Sequence, residues 1–145
     1  MNTRRATVTA LMAALVFLGT YIFKIPSPFG GYAHLGDCMI ILSVCLLGTG
    51  HAVLAAAIGA GLADLLGGYM IWVVPTAVIK GVWALLMGLF MYRLLKNMKF
   101  GWLAGAVIGG LVQIVLYTIV KIPLYGQYGA LAEVPLLAGQ TVCGI

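Results

Sequence analysis

The sequence predicts an all-α integral membrane protein, a six-transmembrane-helix bundle forming one domain over residues 1–145, and three observations carry that expectation. Charged residues make up 8% of the chain and hydrophobic ones 63%, whereas a soluble domain carries about 25% charged residues. Apolar runs recur along the whole length and leave no room for a separate soluble domain. The basic residues behind the net charge of +5 flank these runs instead of striping a helix beside aromatics, so they read as topology signals and not as a nucleic-acid surface.

Residues 6–23 give the first helix, since about 18 residues at about 1.5 Å each reach the hydrocarbon thickness. An N-terminal signal peptide could look similar, but further apolar spans follow. Ala6, Ala10 and Ala14 set small residues at every fourth position, a stripe that lets helix backbones approach closely in lipid. It suits packing inside the bundle or against another protein, and the residues alone leave both open. Lys24 to Asp37 holds two prolines and three glycines and reads as a loop.

Residues 37–49 and 52–66 form two short helices around Gly50 and His51. Both are marginal as spans, so their ends must extend into the loops or the bilayer must thin locally. Ala52, Ala56, Ala60 and Asp64 share one stripe of the second, next to Ala55, Gly59, Ala63 and Gly67, a close-packing face. After a Gly67-Gly68 turn comes the longest run, 70–93, which ends at Arg93 with Lys96 and Lys99 just beyond. Residues 102–120 form the fifth span, led by Gly101, Gly105 and Gly109 at spacing four, and Lys121 to Gly129 reads as a loop. The last run, 130–145, is cut short at Ile145, and continuation through more apolar residues to a short basic tail is expected.

With six spans, Arg4, Arg5, Arg93, Lys96 and Lys99 share one side and Lys24 and Lys121 the other. The excess of positive charge puts both termini in the cytoplasm of a prokaryotic plasma membrane. Phe29 to Tyr32, Gly67 to Tyr69 and Tyr125 to Tyr128 then face outward, while the inner Thr49 to His51 connection is plain.

Ala63 to Gly81 concentrates the unusual residues. An ionisable side chain in a membrane segment costs about 2.5–3.5 kcal/mol on insertion scales and marks a functional site by default. Trp72, Thr76 and Lys80 lie at i, i+4 and i+8 and share a face. Gln113, Tyr117 and Lys121 repeat the pattern on the fifth helix. Two polar-aromatic walls rising to one side describe a pocket open outward, suited to a small heteroaromatic or otherwise polar ligand. The alternative makes Trp72 and Tyr117 interfacial belt residues and Gln113 a cross-helix bond.

Lys80 falls about 15 Å below Met70, near mid-bilayer, and needs a partner or water. Asp64 either pairs with it, through a snorkelling lysine stem, or contacts ligand. Asp37, after Gly36, is expected to act as an N-cap, with a ligand contact as the alternative. Pro75 can kink the fourth helix. Cys38, Cys45 and Cys143 lack CxxC spacing or a nearby histidine and read as small buried apolar residues. His34 and His51 fall on opposite sides and share no metal. The sequence contains no GxxxxGK[ST], HExxH or GxSxG, so it encodes no phosphate loop and none of those hydrolase chemistries.

The AxxxA spacing of Ala6, Ala10 and Ala14, then YAHLGD from Tyr32 to Asp37, then GAGLADLLGGYMIWVVPTAVIKG from Gly59 to Gly81 resemble the S components of energy-coupling factor (ECF) vitamin transporters, riboflavin-type group. The resemblance covers essentially the whole chain. It implies a six-helix, non-enzymatic subunit that captures a vitamin outside and covers it with the first outer loop. It also implies a transmembrane coupling protein and two cytoplasmic ATPases as partners, which use the ATP, so the chain needs no cofactor. Ala6, Ala10 and Ala14 would dock on the coupling protein. Trp72, Thr76, Lys80, Gln113, Tyr117, Asp64, Tyr32 and Asp37 are the expected substrate-binding set. A ligand-free membrane scaffold and an intramembrane enzyme using Asp37 or Asp64 are the competing classes.

Overall fold

Small residues set the packing of this bundle. The computed structural model describes residues 3–27 and 32–145; Phe29, assigned above to an outer loop, lies outside them. Helix α1 (Thr3–Tyr21) leads into an antiparallel ribbon of β1 (Lys24–Pro26) and β2 (Tyr32–His34), with Lys24 opposite His34 and Pro26 opposite Tyr32. Then follow α2 (Gly36–Leu47), α3 (Thr49–Leu66), a 3₁₀ turn (Met70–Trp72), α4 (Val73–Leu89) with a π-helical turn (Phe90–Leu94), α5 (Gly101–Ala132) and α6 (Val134–Gly144).

The ribbon corrects the loop expected over Lys24 to Asp37. Its prolines disfavour a central strand, but both strands of a two-stranded ribbon are edges, where proline is tolerated. The break between α2 and α3 lies at Gly48, whose φ of 75° suits glycine, and not at Gly50 and His51, which belong to α3. Lys121 to Gly129 is helical up to a kink at Gly126 (φ 77°, ψ 167°) and again after it. Pro75 occupies the first turn of α4, where a missing N–H leaves no helical bond unmade. Cys45 and Cys143 are exposed and Cys38 half-buried, so the thiols are not the buried filler expected.

Helix α3 packs between α1 and α4. Ala52, Ala55, Ala56, Ala60 and Ala63 are fully buried along it, as their four-residue stripes predict. A Cβ at Gly59 would come 2.5 Å from the Ala13 carbonyl oxygen, so the α1–α3 contact requires glycine there. On the other side, Gly109 of α5 lies under Trp83, whose Nε1 donates to the Ala106 carbonyl at 3.2 Å. Gly59→Ala is expected to lower stability by about 1–3 kcal/mol through overpacking. Gly50→Ala, with open space around it, is its neutral control in detergent unfolding.

Three helical segments, Thr49–Leu66, Met70–Leu94 and Gly101–Ala132, are long and apolar enough to cross a membrane. Helix α1 has 19 residues, while α2 and α6 have 12 and 11, or about 18 Å and less. The chain is an all-α membrane bundle carrying one small β ribbon.

Candidate functional site: a chamber under the ribbon

At the ribbon end of the bundle, Tyr32 and His34 of β2, Asp64 of α3, Trp72 and Thr76 around the start of α4, Tyr117 and Lys121 of α5, and Leu137 and Gln140 of α6 line a partly open cavity of about 30 Å³, room for one solvent molecule. The two walls expected from spacing stand opposite each other. Trp72 and Tyr117 have ring centroids 6.0 Å apart, Lys121 Nζ sits 5.7 Å from the Trp72 ring, and Lys80 meets Gln113 one level down. Trp72 and Tyr117 are buried, which removes them from any interfacial belt.

Lys80, Gln113 and Asp37 do not line the cavity. They form the layer beneath it. Lys80 Nζ donates to Asp37 Oδ1 at 2.5 Å and to Gln113 Oε1 at 2.7 Å. Asp37 Oδ2 accepts from Gln113 Nε2 at 3.2 Å and Gln140 Nε2 at 2.8 Å, and Gln113 Nε2 also reaches Thr141 Oγ1 at 3.2 Å. This network joins α2, α4, α5 and α6. It corrects two expectations: Asp37 makes no side-chain cap for α2, and Lys80 takes Asp37, not Asp64, as its acid. The reason is geometric, because Asp37 lies inside the first turn of α2 and points across the bundle.

Asp64 has a separate environment. Its Oδ1 accepts from the Tyr32 hydroxyl, and the Thr76 hydroxyl hydrogen-bonds the same buried carboxylate. The ribbon is pinned at both ends. Lys24 Nζ lies over the rings of Tyr21, Tyr32 and Tyr69 at 4.8, 4.6 and 5.1 Å and donates to the Ala63 carbonyl at 3.3 Å, a cation at the C-terminal end of α3 where the helix dipole favours it. At the other end, Ser27 donates to Glu133, which also pairs with Lys121.

Outside the spans, burial followed by the Asp64 carboxylate pushes the Tyr32 hydroxyl well up, so it remains a donor. Burial also lowers Lys24 against the opposing pull of Asp64. His34 falls to about 3 through burial first, then the Lys80 cation, with Asp37 opposing and Lys24 adding to the fall. A folded chain that resists protonation loses stability to the unfolded chain as soon as the latter binds a proton. The His34 contribution is therefore complete above its ordinary value of 6.5 and declines as pH falls from there toward 3. His34→Gln should flatten that part of the acid unfolding profile relative to the parent chain.

His34, Leu137 and Gln140 were missed by the sequence reading. Glu133, Leu137 and Thr141 repeat the same four-residue spacing as the other walls, with Gln140 beside them; that signal was present in a helix discounted as incomplete. Of the small-residue stripe on α1, Ala10 and Ala14 are exposed and Ala6 half-buried. With Phe17, Leu54, Ile58 and Leu62 they border an apolar groove of about 490 Å³, so the stripe faces out of the bundle.

A sequence model of the family described as "ECF-type riboflavin transporter, S component" matches residues 1–144. The chain is also similar to a Pyrococcus woesei protein described as "Uncharacterized protein in gap 3'region", 37% identical over 131 residues, 90% of this chain and 86% of that relative.

Proposed function

We propose that this chain, which belongs to the family of ECF-type riboflavin transporter S components, binds a vitamin or related small heteroaromatic compound from outside the cell and delivers it for uptake driven by partner ATPases. Membership makes it a membrane transport component and not an enzyme. The finer assignment rests above all on one observation: aromatic walls and a buried carboxylate, that of Asp64, meet in one chamber beneath the ribbon. Trp72, Tyr117 and Tyr32 supply flat apolar faces, while Asp64 and Thr76 supply polar contacts. Lys80, Gln113 and Asp37 hold the helices that carry them. The ribbon is the cover: closed, the chamber has room for one solvent molecule, and admitting a ring requires at least that Lys24 leave the Ala63 carbonyl, Tyr32 leave Asp64 and Ser27 leave Glu133.

The six helices cross the membrane with both termini in the cytoplasm. Arg4, Arg5, Arg93, Lys96 and Lys99 are all exposed, at helix ends opposite the chamber, as the positive-inside rule requires. A transmembrane coupling protein docks on Ala6, Ala10 and Ala14, and two cytoplasmic ATPases supply the energy. The test is uptake of labelled compound by cells with and without a coupling protein and its ATPases. Ala10→Phe is expected to abolish energised uptake while leaving equilibrium binding unchanged; loss of binding together with uptake would place the stripe inside the fold and not at a docking face.

A further inference from the structure

Charge in this chain is segregated by end. Of its eight basic and three acidic residues, Lys80 pairs with Asp37 and Lys121 with Glu133, while Lys24 lies within electrostatic reach of Asp64. All three acids are buried around the chamber. The five cations left over, Arg4, Arg5, Arg93, Lys96 and Lys99, are exposed at the opposite end and account for the whole net charge of +5. No acid of the chain remains to neutralise them.

Three of these cations sit in the α4–α5 connection, which is an ordered turn. Tyr92 Oη donates to the Val44 carbonyl oxygen at 2.8 Å, with that of Cys45 at 3.3 Å, and so fastens the π-helical turn to the end of α2. Successive backbone bonds continue the order into α5: Leu95 N–H to the Phe90 carbonyl at 2.8 Å, Met98 N–H to Leu95 at 3.0 Å, and Gly101 N–H to Met98 at 3.1 Å. A Cβ at Gly101 would come 2.7 Å from the Leu95 carbonyl oxygen, so the connection folds back tightly on itself.

Large apolar groups and cations alternate along this turn. Leu94, Met98 and Phe100 are 66%, 60% and 67% exposed, interleaved with exposed Arg93, Lys96 and Lys99. Water disfavours the first set and hydrocarbon the second. Both are satisfied at the boundary, where apolar side chains enter the acyl region and long cationic ones reach the headgroups. An anionic headgroup also supplies the counter-charge that the chain lacks at this end.

We infer that the α4–α5 connection binds anionic phospholipid headgroups through Arg93, Lys96 and Lys99, with Leu94, Met98 and Phe100 seated in the acyl region beside them. The positive-inside bias requires only that cations lie on one side of the membrane; here an ordered turn holds three of them among apolar anchors. The inference needs the bundle to lie in a bilayer and is independent of the transport reading.

The experiment reconstitutes the full chain in nanodiscs of phosphatidylglycerol and phosphatidylcholine in equal amount and identifies the lipids retained on the protein by native mass spectrometry. The parent chain should retain phosphatidylglycerol over phosphatidylcholine. Each cation near an anionic surface contributes about a fivefold preference, so Lys96→Gln with Lys99→Gln should lower it by at least about tenfold, and Lys96→Arg with Lys99→Arg should keep it. Arg4→Gln with Arg5→Gln, at the start of α1, removes the same charge from the same end and should leave most of the preference in place. Equal losses in the two glutamine pairs would reduce the turn to diffuse charge and overturn the inference, as would a parent chain without preference. If the parent shows none and Lys96→Gln with Lys99→Gln instead fails to co-purify with a coupling protein and its ATPases, the turn is a protein interface and the inference falls. All four substituted side chains are exposed, so the comparison does not depend on repacking the bundle.

Discussion

Lys80→Met is expected to cost about 3–5 kcal/mol of stability, the largest effect of any single substitution in the bundle, because it leaves a buried carboxylate without its counter-charge. Lys80 and Asp37 are both fully buried, and Lys80 Nζ also lies 5.2 and 5.6 Å from the Trp83 and Tyr117 rings. Removing the cation leaves Asp37 with the two glutamine amides as its side-chain donors among the described residues. Removing both charges is a different experiment. A buried ion pair replaced by apolar groups of similar volume is often neutral or stabilising, so Lys80→Met with Asp37→Leu should recover most of the loss in detergent unfolding. A double variant as unstable as Lys80→Met alone would contradict the pairing.

Trp72→Ala carries the second large effect, on binding instead of stability. Its ring lies against Tyr117 and, nearly parallel, against Tyr125 at 6.2 Å, so it forms a flat wall of the chamber. Loss of an aromatic stacking partner costs about 1–3 kcal/mol per ring, or about 5- to 150-fold in affinity. Trp72→Phe should keep most of the affinity, since it keeps a flat apolar face. Trp102→Ala, a half-buried indole packed on the core around Trp83, should leave binding unchanged. Similar losses at Trp72 and Trp102 would point to general destabilisation and away from a ligand wall.

Spacing made the walls legible in advance. Trp72, Thr76 and Lys80 opposite Gln113, Tyr117 and Lys121 required only helical periodicity and the scarcity of polar residues in apolar sequence. The glycines that admit Trp83 and α1 were equally visible. Pairing across the bundle was not: Asp64 is nearer Lys80 in sequence, yet Asp37 reaches it, because the tilt and depth of α2 depend on the break at Gly48 and on the ribbon before it. The ribbon itself escaped notice for want of any hydrophobic alternation in three-residue strands. His34 was weighed only as a metal ligand, and its place in the chamber wall follows from that ribbon.

The central claim is that the chamber beneath the ribbon holds a transported small molecule. Mass spectrometry of the intact protein purified from membranes under mild conditions tests it most directly. One heteroaromatic compound should co-purify in near-equal amount with the parent chain and disappear from Trp72→Ala. If no compound rises above a blank membrane preparation, and riboflavin, pyridoxine-like and pyrimidine compounds all fail to bind at micromolar concentration, the chamber is a packing feature and the account is wrong.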